Sequence, residues 1–492
     1  WANVTGIPIL SFGGRSLKVS GSLTLAPAMT VVANGVLRFD AYNSNQTITS
    51  SGHNLGRDVR IESIGGTYEL LDDLTVQGRL LHVYGGLVSN GYTLNLVEYA
   101  SNYGTSRTLD ITNSQINLAA ITGKSAAWQI GSNGYTLRAD NSAINATSGI
   151  SLIHRGAGAL QFDRVLFAST GNIYAYDGVD ARYNYVSMSR SSFVFANNQF
   201  DTLSLAPSQS YMFSSGSIQS IGRLESLGTC EEPININAQT VGAEAIFFTD
   251  LDISDIRSTM VKDIHVQGNG TMNNVLGVDN GNTDGWIIPT DVGRNLYWVG
   301  NGGNWNDTNH WSLISNGPGG ECIPTSVDNV FFDASSFNLD NQVVAGGNIF
   351  FLNMSWIGVT NTPSVSFTRA FTYGSIELVD DMNINAWTWI SLLGDTENRI
   401  LDTRGKQFTH LELNALGDWT LGSPINATGQ FFIYNGGLST NDHDIRAERF
   451  RIWERNSLNI NLSSSTINLF GDGASTPQFA QYQSDAALLI FD

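Results

Sequence analysis

The sequence predicts an all-β chain built from tandem parallel β-helical (β-solenoid) modules, on three observations. Short apolar-alternating segments recur along it, among them SLTL at 22–25, VRIE at 59–62, TLDI at 108–111 and QINL at 115–118. Each has the period of two of a half-buried strand and is bounded by Gly, Asn, Ser or Asp turns. The composition opposes long helices: only 14% of the 492 residues are charged and 51 are Gly, while the Ala/Glu/Lys/Leu/Arg stretches that helices prefer are scarce. Finally, the chain repeats itself at long range.

The repeat decides the architecture. Laying 66–118 over 417–469, a gapless offset of 351, brings Gly66, Tyr68 and Leu70 onto Gly417, Trp419 and Leu421. The same offset puts Gly85, Leu87 and Asn90 on Gly436, Leu438 and Asn441, and Ser114, Ile116 and Leu118 on Ser465, Ile467 and Leu469. A second register, offset by 308, lays ELLDD at 69–73 over ELVDD at 377–381, and the two registers differ by 43. That interval fits two coils of about 21–22 residues, the size of one β-helix turn. Such a coil cannot bury its apolar residues alone, whereas stacked coils bury Leu, Ile, Val and Phe in a continuous column. Gly and Asn serve the corners that need a positive φ. A β-sandwich is the alternative; it explains alternating strands but not so regular a repeat.

Two modules follow, 1–294 and 295–492. The first carries an atypical closing segment at 226–294, where the strand pattern gives way to Gly/Asn/Asp-rich stretches. The chain starts at Trp1 with no signal-peptide pattern and ends in the apolar run 487–491 without a polar cap, so both ends read as cuts through a longer protein. A net charge of −19 argues against sequence-independent nucleic-acid binding, which needs Lys and Arg to displace counterions. It suits an extracellular surface that binds divalent cations. No apolar run of 18 or so residues exists, so this segment does not insert into a membrane.

The densest cluster of aromatic, Gly, Asn and Asp residues is YWVGNGGNWNDTNHWS at 297–312, where one strand series ends and the next begins. Tyr297, Trp298, Trp305, His310 and Trp311 read as packing at a joint between modules, with no nucleophile motif beside His310. Cys230 and Cys322 stand on either side of that joint; they read as two unrelated thiols or, in a secreted protein, as a disulfide stapling the modules.

These segments, in order, carry a resemblance: CEEPI at 230–234, DNGNTDGW at 279–286, LYWVG at 296–300, NWNDTNHWS at 304–312, CIPT at 322–325 and DNVFFD at 328–333. Together they resemble the module-junction motifs of the very large repeat-built surface adhesins of gliding bacteria, which the type IX secretion system exports. The ordered motifs cover about 105 residues; the flanking rungs match only in style. The resemblance implies a cell-surface filament exported across the outer membrane and carried by the gliding machinery. Its partners would be other modules of the same chain, the secretion and gliding machinery, and a substratum or polysaccharide. It also implies that the two cysteines are junction features, and the C-terminal sorting domain of such substrates is not in this sequence.

The remaining candidates are weighed on their residues. Asn280, Asn282 and Asp284, with Asp291 at the twelfth position, partly match a calcium loop. The run lacks the leading Asp and the final Glu, and such runs commonly form turns. No other cofactor is expected. Asp72-Asp73 and Asp380-Asp381 occupy equivalent coil positions, so their recurrence points to a structural corner rather than to paired acid–base carboxylates. Trp387 and Trp389 are possible sugar contacts. The function expected is therefore a non-catalytic structural segment of a secreted adhesin serving attachment and gliding. The alternatives are a β-helix polysaccharide lyase or glycosidase, for which Lys and Arg are too scattered, and a carbohydrate-binding module.

Overall fold

The computed structural model describes all 492 residues except 1–5, 33, 121–125, 177, 179, 289–292, 397, 454–457, 471–477, 483–486 and 491–492. The chain is a parallel β-solenoid of about 21 turns. Among the described strand pairs all are parallel save one, Asn295–Trp298 with Trp311–Ser312. That pattern excludes the sandwich alternative, whose strands pair antiparallel.

Two compact units divide it. The first comprises Trp1–Gly228, Pro233–Val275 and Asn282–Ile287; the second comprises Thr229–Glu232, Leu276–Gly281 and Ile288–Asp492. The division is not one cut near residue 294, because two short segments within the first unit's span belong to the second.

In the first unit one inward column runs Leu37, Val59, Leu80, Tyr99, Trp128, Leu152, Ile173, Val194, Phe213, Ala238, each residue paired with the next. All ten are buried, and a fully buried Leu, Ile or Val side chain contributes on the order of 1.5–3 kcal/mol. The step from one residue to the next runs from 19 residues (Leu80 to Tyr99) to 29 (Tyr99 to Trp128), so a coil of 21–22 is an average. The second unit repeats the device with Leu296, Val330, Met354, Ile376, Leu401 and Leu421. On the outside, Asn side chains bond from turn to turn: Asn145 Nδ2 donates to Asn117 and Asn117 Nδ2 to Asn95, both at 2.9 Å. Asn353, Asn329 and Asn295 form the same ladder in the second unit.

The 351-residue repeat is a repeat of conformation. Arg79–Val88 and Gln430–Ser439 are strands of ten residues each, and inside them Gly85 and Gly436 have φ of +77° and +100°. A Cβ on Gly85 would fall 1.9 Å from the Ser63 carbonyl oxygen, so this corner requires glycine. The following turn places Asn90 and Asn441 at φ of 52° and 50°, in the left-handed region that Asn tolerates.

The first unit's core also holds polar groups. His82 Nε2 donates to the Gly85 carbonyl (3.0 Å), so its Nδ1 accepts from the Tyr99 hydroxyl (2.9 Å), which in turn bonds Tyr135 (2.7 Å). Arg107, 1% exposed, donates to the carbonyls of Gly131 and Asn133 at 2.6 and 3.1 Å and lies over the Tyr135 ring. His154 stacks on Phe162 and Tyr183. Burial, with the Arg107 charge adding to it, holds His82 down to about 4, and burial holds His154 down to about 3. Both are neutral in the fold at neutral pH. As pH falls through 6.5 the unfolded chain protonates at both positions, whereas the folded chain does not until near those lower values. Stability is therefore full above pH 6.5 and falls below it, by up to about 2.7 kcal/mol per pH unit for the pair. Urea midpoints between pH 7.5 and 5 measure this slope. His154→Phe, which keeps a ring in the stack, is expected to halve it; an unchanged slope would remove His154 as a source.

Candidate functional site

The joint segment folds as the head of the second unit's core. Trp298, Trp305 and Trp311 are 0%, 1% and 0% exposed within its apolar cluster. Trp298 and Trp311 meet edge to face at 5.1 Å, Trp305 and Trp311 at 4.8 Å, and Trp305 meets Phe367 at 5.6 Å. Trp298 Nε1 donates to Asn301 O (2.6 Å) and Trp311 Nε1 to Trp305 O (2.7 Å), so two of the indoles also fasten the loop between them. His310 lies flat on Trp298 at 4.5 Å and its Nδ1 donates to Val299 O at 2.7 Å. Asp307 caps the single turn Thr308–His310, and the Asn309 backbone and side-chain amides hold its carboxyl below the usual range. Tyr297 is half-buried and stacks on Phe331 at 5.0 Å. These five side chains thus pack against residues of the second unit itself, where the sequence suggested packing of one module on the other.

Cys230 and Cys322, 92 residues apart, are bonded to each other, and both belong to the second unit. Beside Cys322 lies a cluster that joins residues of the CIPT and DNVFFD motifs to Arg294, which no motif includes. Asp328 is 1% exposed and accepts from the Arg294 backbone (2.7 Å), the Arg294 guanidinium (2.7 and 3.0 Å), and the Thr325 amide and hydroxyl (2.8 Å each). Arg294 also donates to the Cys322 and Ile323 carbonyls at 3.2 and 3.0 Å.

The calcium-loop candidates do not converge. Asn280 bonds Ser326 and Tyr373 within the second unit, while Asn282 donates to Asp263 at 2.6 Å and Asp284 accepts from Gly285 within the first. Asp291 lies outside the described residues. Among the described residues no group of three or more His, Cys, Asp and Glu side chains is placed to hold a metal ion. The Asp pair at 72–73 serves the corner: Asp72 accepts from the backbone amides of Ser50 and Ser51 in the preceding turn, and Asp73 from that of Thr93 in the following one.

The two sugar-contact candidates part company. Trp387 is 2% exposed and meets Phe367 edge on inside the core, so it cannot stack a ligand. Trp389 is half-buried on the outside. Two residues apart on a straight strand, they would share a face. Here the strand Asn383–Leu392 turns a corner between them, and the next inward residue after Trp387 is Ile390. Trp389 stands in an outward strip spanning several turns. The Arg369 guanidinium lies over Trp389 at 5.3 Å and over Phe371 at 4.7 Å. Trp389 contacts His410 at 4.4 Å and Phe432 at 5.8 Å, and Phe350 stacks on Phe371 at 4.7 Å. Arg369 is ion-paired to Glu412 and donates to Ser391 Oγ at 2.8 Å. His410 Nδ1 accepts from the Gln430 amide at 3.0 Å, and burial lowers its pKa, opposed by Glu448. Only Trp389 of this strip was singled out from the sequence. The usable signal was spacing: the paired positions Phe350/Phe371, Trp389/His410 and Glu412/Phe432 lie 20 or 21 residues apart.

This geometry offers aromatic faces edged by a charged hydrogen-bonding pair. Its carboxylates are taken up by arginines, Glu412 by Arg369 and Glu448 by Arg449, which suits binding better than acid–base chemistry. No family model matches the chain, nor does any curated protein or solved structure.

Proposed function

We propose that the chain is a structural segment of a long secreted surface adhesin, acting in attachment and gliding without catalysis. The observation that carries this reading is the turn-to-turn self-satisfaction of the solenoid: its corner carboxylates and Asn ladders bond the neighbouring turns. What such a chain offers is a regular outer surface, and a regular surface suits display. The disulfide accords with an oxidising, extracellular setting. Protease shaving of intact cells of the source organism tests the reading: peptides of this chain are expected among those released, and loss of its gene is expected to abolish attachment to glass or polysaccharide. Recovery of the chain only from the cytosol would sink it.

A second reading, a carbohydrate-binding surface, is favoured by the exposed side of Trp389 with Arg369 and Glu412 beside it. Affinity electrophoresis in polysaccharide gels should show retardation that Trp389→Ala weakens about tenfold, the loss expected for an aromatic anchor. Product release from uronate or neutral polysaccharides would instead favour the β-helix lyase or glycosidase.

A further inference from the structure

The first unit carries a second outward aromatic surface, distant in sequence from Trp389. Tyr174 and Tyr176 project from one turn and Phe193 and Phe195 from the next, with Tyr174 paired in register to Phe195. All four are half-buried. Their ring centroids lie 5.4–6.1 Å apart, Tyr174 and Tyr176 are nearly coplanar in orientation at 6°, and Arg155 lies over Tyr176 at 4.7 Å. Met212, paired with Phe193 on the turn beyond, is 40% exposed. The patch therefore spans successive turns of the solenoid with apolar faces that water still reaches.

At one edge this patch opens into a cleft of about 530 Å³, to which Tyr176 and Phe195 contribute together with Asn197, Ser214, Ser215 and Gln239. None of the cleft's described lining residues is charged at neutral pH. Its hydrogen-bonding groups are partly committed and partly open. Asn197 Oδ1 accepts from the Ile218 amide at 2.8 Å, which fixes the side chain and leaves its NH₂ to donate outward. Ser215 Oγ accepts from the Thr240 amide at 2.9 Å, leaving its hydroxyl proton to donate. The Gln239 side chain is exposed at the rim.

We propose that this cleft and the aromatic patch bind a neutral polysaccharide. A sugar ring presents C–H groups on its faces and hydroxyls around its edge. The first match the Tyr176 and Phe195 rings; the second match fixed amide and hydroxyl donors. The described cleft residues are uncharged and the chain as a whole carries −19, which disfavours uronates and other acidic glycans, with the Arg155 guanidinium over Tyr176 acting against it. The proposal stands independently of the adhesin reading and of Trp389, since it concerns different turns and requires only the folded chain.

The test is affinity electrophoresis of the full chain in gels containing neutral glucan, xylan, mannan or chitin derivatives, with pectate as the acidic comparison. At least one neutral polymer is expected to retard the chain. Gln239→Ala and Tyr176→Ala should each weaken that retardation, Tyr176→Ala by about tenfold, and Tyr176→Phe, which keeps the ring, should restore it. Retardation should persist to about 0.5 M salt, as expected where ring contacts and hydrogen bonds to a neutral polymer, not ion pairs, hold the ligand. Gln239 is exposed, so its variant separates binding from folding, and the thermal midpoint of each variant is recorded alongside. The proposal would be overturned by no retardation by any neutral polymer, by retardation unchanged in both Gln239→Ala and Tyr176→Ala, or by preference for pectate that salt abolishes. A loss confined to Trp389→Ala would also place binding in the second unit and refute this site while leaving the carbohydrate reading intact.

Discussion

Replacing Cys230 and Cys322 together by serine is expected to lower the unfolding free energy by about 4–5 kcal/mol. The bond closes a loop between residues 92 apart in sequence, and the chain-entropy model assigns a loop of that length this much restriction of the unfolded state. The folded state gives the bond a defined place. Cys230 sits in the short segment Thr229–Glu232, whose Thr229 and Glu232 exchange backbone hydrogen bonds at 3.1 and 3.2 Å. Glu231 accepts from the Thr308 hydroxyl at 3.3 Å. Without the covalent tie, that four-residue turn relies on such exposed bonds, each worth only about 1 kcal/mol. Urea unfolding followed by tryptophan emission is suited to the measurement, because Trp298, Trp305, Trp311, Trp356, Trp387 and Trp419 all lie in the second unit's core. Oxidised wild type should lose its advantage on reduction, and the double serine variant should match the reduced protein. A change below about 1 kcal/mol would show that the unfolded chain is held together by something other than the bond.

The second large effect is expected at Asp328. Its carboxylate is buried, ion-paired to Arg294 at 2.7 Å, and accepts from two backbone amides and one hydroxyl. Only the Asp328 side of the pair is fully buried: the Arg294 side chain is 26% exposed and keeps the Cys322 and Ile323 carbonyls, so the loss falls below the about 3–5 kcal/mol of a fully buried pair. Asp328→Ala should therefore destabilise by about 2–3 kcal/mol, chiefly because the Arg294 and Thr325 amides and the Thr325 hydroxyl lose their acceptor. Asp328→Asn keeps the shape and one acceptor oxygen and should cost less. The measurement is the denaturant midpoint of each variant at low and high salt. A partly buried pair is screened less than a surface one, so the difference between the two variants should survive salt; small and equal losses would mean the cluster is open to water.

Neither effect was legible in full from the residues alone. The cysteines stood out as the only two in the chain, and their position beside the joint suggested a staple, but two unrelated thiols fitted the residues as well. Asp328 opens the DNVFFD motif without any sign of its partner, because Arg294 is 34 positions away and charged residues of this kind carry no periodicity. The calcium-loop pattern shows the opposite failure. Asn280, Asn282 and Asp284 are close in sequence, yet the chain passes from one unit to the other between Gly281 and Asn282, so their side chains serve different neighbours.

The solenoid was readable for a simple reason. In a stack of coils each turn meets the same environment, so the local alternation of apolar residues and the long-range repeat describe one arrangement. Gly85 with Gly436, and Asn90 with Asn441, were paired by sequence and share their backbone conformation. What alternation cannot report is where a strand bends, since a period of two assumes a straight strand. That is why Trp387 and Trp389, read together as outward candidates, end on opposite sides of the wall. It is also why the Arg369–Glu412 strip and the Tyr176–Phe195 cleft emerge only when successive turns are laid against each other. The residues themselves dictate coil, column and corner glycines, because those depend on each turn's own pattern. Pairing across turns, side-chain burial at corners and the membership of Thr229–Glu232 and Leu276–Gly281 depend on the length of each intervening turn, which varies from 19 to 29 residues along the first unit's column, and only the folded chain resolves them.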